Sequence, residues 1–149
     1  MTDWLEHSVQ VEVEVPIEFV WELWSDIEKM PNWMKWIESV RVVEDNPSLS
    51  RWKLASGSFE FSWLSEIVKQ IPQQIIQWKS VDGLPNQGAI RFYDRHDKSI
   101  VKLTVAYAIP GIVGKIMDTL LGPTVESTLQ ADLERFRLYA LEQVNRPNQ

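Results

Sequence analysis

The chain contains no cysteine and only two histidines, His7 and His96. The absence of thiols excludes disulfides, cysteine-ligated zinc, iron–sulfur clusters and a thiol nucleophile. Two histidines are too few for a histidine-rich metal site. The sequence also has no Gly-rich phosphate loop, no metal-spaced carboxylates and no Ser-His-Asp order that would indicate a known catalytic site. We therefore expect no metal and no cofactor.

Basic clusters and long apolar runs are also missing. Fifteen basic residues against twenty-one acidic ones give a formal net charge of −6, and residues 1–47 alone hold eleven carboxylates and three basic groups. Too few basic residues lie together to neutralise a run of phosphates, so we expect no nucleic-acid partner. No stretch has the pattern of a signal peptide or a transmembrane helix, which predicts a cytoplasmic protein without integral membrane association. The oligomeric state stays open.

The chain does contain enough apolar residues for a substantial core. Of its 149 residues, 44% are hydrophobic and eight are tryptophan, several times the number that average composition gives. A chain of this length buries about two-thirds of the surface that it exposes when unfolded, so it needs no disulfide or structural metal to fold. No repeat, low-complexity tract or linker divides it. We expect a single domain over residues 1–149.

Hydrophobic periodicity predicts the order of the elements. Apolar residues alternate with polar ones from Leu5 to Val15, as in a strand with one buried face. Helical spacing covers residues 16–30, and a second strand ends at a turn over 44–48. The remaining turns are too short for crossover helices, so the following strands must form an antiparallel meander. These strands are expected over residues 50–55, 59–70, 74–80, 87–94 and 99–108.

A long amphipathic helix is expected from about Ile112 to Val144, where the 3.6-residue period returns. Gly122 and Pro123 interrupt it, and since proline removes a backbone donor, the helix should kink or split there. Residues 112–121 are then a candidate lid hinged at this pair. A static bend that fits the helix to the sheet is the alternative.

Several motifs resemble the polyketide cyclase/dehydrase and lipid-transport family of the START-like (SRPBCC) superfamily. They are Pro16-x-x-x-Val20-Trp21, Met30-Pro31-x-Trp33, Trp63-x-x-Glu66-Ile67, Trp78-x-Ser80 followed by Gly83 and Gly88-x-x-x-Phe92, and Tyr107-x-x-Pro110-Gly111. The resemblance covers nearly the whole chain. It implies an α+β helix-grip fold, in which a curved seven-stranded antiparallel sheet wraps around a long C-terminal helix, with two short helices after the first strand. Relatives generally carry an acidic or helix-favouring residue where this chain has Pro123.

The resemblance also implies a deep cavity between the sheet and the long helix, which relatives use to hold sterols, lipids, polyketides, quinones or plant hormones. Aromatic rings suit such a ligand because they offer a large contact area and an orientable face. For each of the candidate side chains, simple core packing is the alternative interpretation. The residues expected to contact a ligand are Trp33, Trp36, Trp63, Trp78, Phe92, Tyr107, Ile116, Leu120, Leu129 and Leu133.

Three polar residues could act chemically. His7 has the apolar parity of the first strand, so its ring should point inward or lie at the sheet edge. Glu66 has the parity opposite to Trp63, which predicts an outward side chain with a cross-strand partner, either Arg91 or Lys79. Tyr107 could orient a ligand carbonyl at the cavity mouth or be a core phenol. None of the three is assigned a catalytic role.

Three functions remain open at this point. The leading hypothesis is binding of a hydrophobic or aromatic small molecule, such as a lipid, a polyketide-like compound or an isoprenoid. The second is a cyclase or dehydratase that folds a reactive chain in the same cavity. The third is a protein-interaction module with a vestigial cavity. A dry tunnel favours the first, ordered polar groups in the cavity the second, and a collapsed cavity with an exposed apolar patch the third.

Overall fold

The structure is a computed structural model. It describes the backbone of residues 4–57, 59–109 and 114–146, and the side chains of these residues except 59 and 114–122. The elements follow one another as β1 (Leu5–Val13), α1 (Ile17–Ser25), a 3₁₀ helix (Ile27–Asn32), β2 (Ile37–Val43), β3 (Asn46–Ser56), β4 (Phe59–Ile71), β5 (Ile75–Gly83), β6 (Asn86–Asp94), β7 (Ser99–Tyr107) and α2 (Gly114–Val144).

The seven strands form one sheet in the order β1-β7-β6-β5-β4-β3-β2, and every neighbouring pair is antiparallel. This confirms the predicted helix-grip architecture, including the two short helices after β1. Two register shifts in the β4–β5 ladder, at Leu64/Ser65 and Ile67/Lys69, interrupt the regular pairing. Such irregularities bend a strand and increase its twist, which helps the sheet to curve around α2.

The turn before β3 is shorter than expected. Only Glu44 and Asp45 form it, because Asn46 already pairs with Val43 of β2. β3 therefore includes Pro47, which the predicted turn over 44–48 had contained. The β2–β3 pairing shifts its register between Val42 and Val43, so the ladder is irregular at this end. Proline is tolerated in strands at such irregularities.

Helix α2 is continuous from Gly114 to Val144 with Pro123 inside it, so the predicted split at Gly122-Pro123 is wrong. Pro123 is exposed, so water can take the place of a lost intrahelical hydrogen bond on this side of the helix. The proposed lid over residues 112–121 lies outside the described residues, apart from the helical backbone that begins at Gly114.

An aromatic cluster joins α1, the segment after the 3₁₀ helix, and α2. Trp24, Trp33 and Phe136 are fully buried, and their ring centroids lie 5.0 or 5.1 Å apart. The indole N–H groups of Trp24 and Trp33 have no acceptor among the described residues. The cluster is therefore held together by burial and by edge-to-face ring packing rather than by hydrogen bonds between side chains.

Asp132 and Arg135 attach α2 to the segment between the 3₁₀ helix and β2. Asp132 is only 2% exposed, and its Oδ1 accepts hydrogen bonds from the backbone N–H of Lys35 at 3.1 Å and from Arg135 at 2.6 Å. Arg135 Nε also donates to the Trp33 carbonyl at 3.1 Å. Burial raises the pKa of the Asp132 carboxyl, and these donors offset only part of that effect.

Replacing Arg135 with leucine should lower the free energy of unfolding by about 1–2 kcal/mol at neutral pH, because the buried carboxylate of Asp132 loses its charged partner. The raised pKa of Asp132 means that the native state binds this proton more tightly than the unfolded chain, so acidification neutralises the buried charge and favours the native state. The loss in the variant should therefore shrink as the pH falls. Urea unfolding between about pH 7 and about pH 5 measures it.

Arg146→Leu is the matched control for this experiment, because the ion pair of Arg146 with Glu142 is exposed on both sides. It should cost less than about 0.5 kcal/mol at any pH in this range. A loss in Arg135→Leu that stays constant with pH would contradict the role of Arg135 as the counter-charge of Asp132.

Candidate ligand-binding cavity

A cavity of about 280 Å³ lies between the inner face of the sheet and helix α2. Its described lining comes from β2 to β7, from α1 and the 3₁₀ helix, and from α2 at Thr124, Val125 and Leu129. Strand alternation places the sheet residues there, because every second side chain of a strand points to the same face. Leu103, Val105 and Tyr107 of β7 follow this rule.

Aromatic side chains dominate the wall. Trp52 and Trp63 are directly opposite each other in β3 and β4, and their rings stack with centroids 5.8 Å apart and planes 14° apart. Trp52 Nε1 donates to the buried hydroxyl of Ser50 at 2.8 Å, which fixes the orientation of its ring. The pair presents a broad, rigid apolar surface. The described aromatic lining residues are Trp24, Trp36, Trp52, Phe61, Trp63, Trp78 and Tyr107.

Trp78 is held in place by the turn between β5 and β6. Its Nε1 donates to Oδ1 of Asn86 at 3.0 Å, and Nδ2 of Asn86 donates to the carbonyl of Leu84 at 2.8 Å. The backbone N–H of Asn86 in turn donates to the Ser80 hydroxyl at 3.0 Å. The amide of Asn86 is therefore engaged at both ends, and it acts mainly to orient the indole of Trp78.

The described part of the wall offers no counter-charge to a ligand. Among the described residues that line the cavity there is no Asp, Glu, Lys, Arg or His, and the polar side chains are Ser56, Asn86, Tyr107 and Thr124, besides the indole N–H groups. Burying an ion in such surroundings without a partner is strongly unfavourable. The cavity therefore suits an uncharged molecule.

His7 and Tyr107 form a hydrogen-bonded pair at the β1–β7 edge of this wall. Nε2 of His7 lies 3.2 Å from Oη of Tyr107, and the two rings stack with centroids 5.8 Å apart. His7 is 8% exposed and pairs directly with Val105, a lining residue, so its ring lies on the inner face as the strand period predicts. A phenol and an imidazole are thus joined beside a cavity whose described wall carries no charged side chain.

Five of the ten predicted contact residues line the cavity, namely Trp36, Trp63, Trp78, Tyr107 and Leu129. Their contact with a ligand stays a prediction. Ile116 and Leu120 belong to the part of α2 whose side chains lie outside the described residues.

Trp33, Phe92 and Leu133 are not among the described lining residues. Trp33 belongs to the aromatic cluster, Phe92 packs edge-on against Trp21 of α1 with centroids 5.3 Å apart, and Leu133 is 0% exposed in the core. Helix α1 and the second half of α2 cover this part of the inner face. All three side chains are packed in the core, and their contact with a ligand stays a prediction.

Sequence reasoning missed part of the lining. Met30 and Met34 flank the end of the 3₁₀ helix, and Trp52 and Leu54 lie on the inner face of β3. For β3 the signal was present, because Trp52 and Leu54 alternate with basic residues in the period of a strand. For the methionines no periodic signal exists, since Met30 lies in a short 3₁₀ helix and Met34 in the irregular segment that follows it.

Other predicted features can be placed as well. Glu66 lies directly opposite Lys79 in the β4–β5 ladder, which agrees with its predicted outward position.

In the described part of the chain, no three His, Cys, Asp or Glu side chains come close enough to hold a metal ion. No helix among the described residues is both long and apolar enough to span a bilayer.

Comparison with known proteins places this geometry among relatives. A family model described as "Polyketide cyclase / dehydrase and lipid transport" matches residues 13–137. An uncharacterized 17.2 kDa protein from the melC2-rnhH intergenic region of Streptomyces lincolnensis is 26% identical over 134 residues, which cover 89% of this chain and 87% of that protein.

Two solved structures show the same fold. The Zhui aromatase/cyclase from Streptomyces sp. R1128 superposes with a TM-score of 0.77 at 17% identity, covering 97% of each chain. A START superfamily protein from Mycobacterium smegmatis superposes with a TM-score of 0.71 at 17% identity, covering 90% of this chain and 98% of that one. At these identities the likeness establishes the fold alone.

Proposed function

The chain belongs to the polyketide cyclase/dehydrase and lipid-transport family, and we propose that it binds one uncharged hydrophobic molecule with fused rings in the cavity between the sheet and α2. The observation that carries this proposal is the wall itself, which has seven aromatic side chains and no charged one among its described residues. Rigid aromatic faces favour flat ligands, because stacking and edge contacts add to the area that is buried.

The size of the cavity limits the ligand. An apolar cavity of about 150 Å³ stays dry and admits benzene. The cavity here has about 280 Å³, so it has room for a compound of two or three fused rings. The stacked pair Trp52 and Trp63 gives such a compound a flat surface along one side.

A fused-ring hydrocarbon such as fluorene should raise the melting temperature of the protein, because a molecule that binds only the native state stabilises it by mass action. Replacing Trp63 with alanine should weaken this binding about tenfold, since a large part of the wall is removed. Isothermal titration calorimetry measures the affinity without depending on tryptophan fluorescence.

Trp4→Ala serves as the control, because Trp4 is 47% exposed and is not among the described lining residues. It should bind fluorene as the wild type does. If a panel of fused-ring compounds, sterols and lipids neither raises the melting temperature nor gives a titration signal, the proposed function is wrong.

A second candidate is a cyclase-type reaction on the bound molecule. The observation that favours it is the pair of Tyr107 and His7, because a hydroxyl joined to an imidazole can give or take a proton at a bound substrate. Incubation with a reactive poly-keto chain, followed by mass spectrometry, tests it. The wild type should change the distribution of cyclised products and Tyr107→Phe should not; identical distributions with and without protein would contradict this candidate.

The third possibility, an interaction module with a vestigial cavity, predicts a collapsed interior. The cavity of about 280 Å³ argues against that interpretation.

A further inference from the structure

Two buried serine side chains face each other on the inner side of the sheet. Ser50 of β3 and Ser65 of β4 are directly opposite in a ladder whose next inward pair is Trp52 and Trp63. The two serines are only 2% and 1% exposed. Residues that are directly opposite in an antiparallel ladder have Cβ atoms about 4.5–5.5 Å apart. The ladder therefore brings two hydroxyl groups together beside the stacked tryptophans, where bulk water does not reach them.

These hydroxyls have few partners within the described part of the chain. The Ser50 hydroxyl accepts a hydrogen bond from Nε1 of Trp52 at 2.8 Å and donates to no described residue. The Ser65 side chain forms no hydrogen bond with a described residue. Each hydroxyl has one donor position and two acceptor positions, and burying it without a hydrogen bond is unfavourable. The pair can therefore bind a third polar group that lies between the two serines.

A small void touches both serines. It has a volume of about 10 Å³, and apart from Ser50 and Ser65 its lining is apolar or aromatic. One buried water molecule needs about this volume and two to four polar partners. The two hydroxyls meet this requirement, and a larger molecule does not fit. Four side chains line both the void and the ligand cavity, so a single layer of residues separates the two. These are Met30, Trp52, Trp78 and Ile90.

We propose that one water molecule binds in this void between Ser50 and Ser65, and that Ser65 acts through this water as a positioning residue for Trp52. The Ser50 hydroxyl donates to the water, and the water donates to Oγ of Ser65. Ser50 is then held in place as the acceptor of the Trp52 indole N–H. Hydrogen bonds that follow one another in this way strengthen each other in surroundings of low polarity. The water site is distinct from the ligand cavity and does not depend on the proposed function.

Crystal structures of the wild type and of Ser65→Ala test the water site. The wild type should have one water about 2.6–3.2 Å from both Oγ atoms. In Ser65→Ala the water loses one of its two side-chain partners and should be absent. A wild-type structure without a water at this position overturns the proposal. A water that stays at full occupancy in Ser65→Ala overturns it as well, because Ser65 is then not needed to hold it.

NMR spectra of the indole N–H groups test the positioning role. In Ser65→Ala the proton resonance of Trp52 Nε1–H should move upfield, because a Ser50 hydroxyl without the water is a weaker acceptor. The resonances of Trp24 and Trp33 should stay in place, since these two rings pack in the aromatic cluster and are not among the residues that line the void. A general loss of stability does not move the resonances of the native state. Spectra of Trp52→Phe assign the Trp52 signal.

Two further variants complete this experiment. Ser62→Ala is the matched control, because Ser62 lies on the same strand but is exposed, and it should keep both the water and the Trp52 resonance. Ser65→Cys replaces the hydroxyl with a larger, weakly hydrogen-bonding thiol and should shift the Trp52 resonance as Ser65→Ala does. It serves in place of Ser65→Ala if the melting curve shows that the alanine variant is unfolded. If the Trp52 resonance stays in place, or if Trp24 and Trp33 shift equally, Ser65 is not a positioning residue.

The effect of the water on ligand binding does rest on the proposed function. Trp52 is half of the stacked pair in the cavity wall, so a less firmly oriented ring should weaken fluorene binding about threefold in Ser65→Ala. Calorimetric titration measures this change. If neither fluorene nor another member of the panel binds the wild type, the proposed function fails, while the crystal structures still decide on the water. If Ser65→Ala shifts the Trp52 resonance but binds fluorene as tightly as the wild type, the effect on the ligand is wrong and the water site stands.

Discussion

Replacing Trp33 with alanine is expected to lower the free energy of unfolding by about 3–5 kcal/mol, the cost of removing a large aromatic side chain from a packed core. Trp33 is 0% exposed, and its ring packs against Trp24, Phe136 and Tyr139 with centroids 5.0 to 5.3 Å away. The Trp33 carbonyl also accepts the hydrogen bond from Arg135 that attaches α2 to this segment. Denaturant unfolding of the two proteins gives the difference directly.

Trp36→Ala is the matched variant, because Trp36 is only three residues away and lines the cavity instead of the core. It should cost less than about 1.5 kcal/mol and should weaken fluorene binding. The opposite pattern, in which Trp33→Ala stays as stable as the wild type and loses binding, would restore the sequence-based interpretation of Trp33 as a ligand contact.

For strands with a clear apolar alternation, such as β1 and β7, the inward face follows from the sequence, and the reason is geometric. A strand has a period of two, so a run such as Val101, Leu103, Val105 and Tyr107 must point to one side once that side is buried. The structure has these residues on the inner face, with Leu103, Val105 and Tyr107 at the cavity. The antiparallel order followed from turns that were too short for a crossover.

Whether an inward-pointing side chain lies in the packed core or at the cavity could not be predicted in this way. Phe92 and Tyr107 are both inward, but Phe92 lies under α1 against Trp21, whereas Tyr107 lies at the cavity. Which part of a sheet is covered depends on where the helices cross it. That placement is set by long-range packing, and no local period carries it.

Asp132 shows a signal that sequence reasoning overlooked. It lies three residues after Leu129 and four before Phe136, so it falls within the apolar stripe of α2, where a lone carboxylate is out of place. An acidic residue at such a position indicates a buried partner, and Arg135 at i+3 was within reach. The backbone N–H of Lys35, by contrast, is close only in the folded protein.

Two glycines in the family motif also have a structural reason. Gly83 has φ +86°, a conformation that other residues adopt only with strain, and a Cβ there would lie 2.7 Å from the Cα of Trp63. At Gly88 a Cβ would lie 2.7 Å from the six-membered ring of Trp78 and would overlap the carbonyl oxygen of Thr104. Gly83 thus allows β5 to approach the backbone of β4 at Trp63, and Gly88 allows the ring of Trp78 to pack against the backbone of β6.

Gly88→Ala should therefore lower the free energy of unfolding by about 2–3 kcal/mol and weaken fluorene binding about tenfold. The added methyl group has no space, so the ring of Trp78 must move away, and its hydrogen bond to Asn86 is strained or lost. Nitrogen–proton NMR spectra should show a shifted indole resonance for Trp78. Denaturant unfolding and calorimetric titration give the two free energies.

A double-mutant cycle with Trp78→Leu identifies the part of the cost that comes from the ring. In the Trp78→Leu background Gly88→Ala should cost less, because only the overlap with the Thr104 carbonyl remains. Gly57→Ala is the control. Gly57 has φ +59°, but apart from its chain neighbours no atom of the described residues lies within 4 Å of the position that an added methyl group would take, so it should cost about 0.5–1 kcal/mol through backbone strain alone. If Gly88→Ala lowers the free energy of unfolding equally in both backgrounds, the packing of the Trp78 ring does not depend on this glycine. If Gly88→Ala binds fluorene as tightly as the wild type, Trp78 is not a ligand contact.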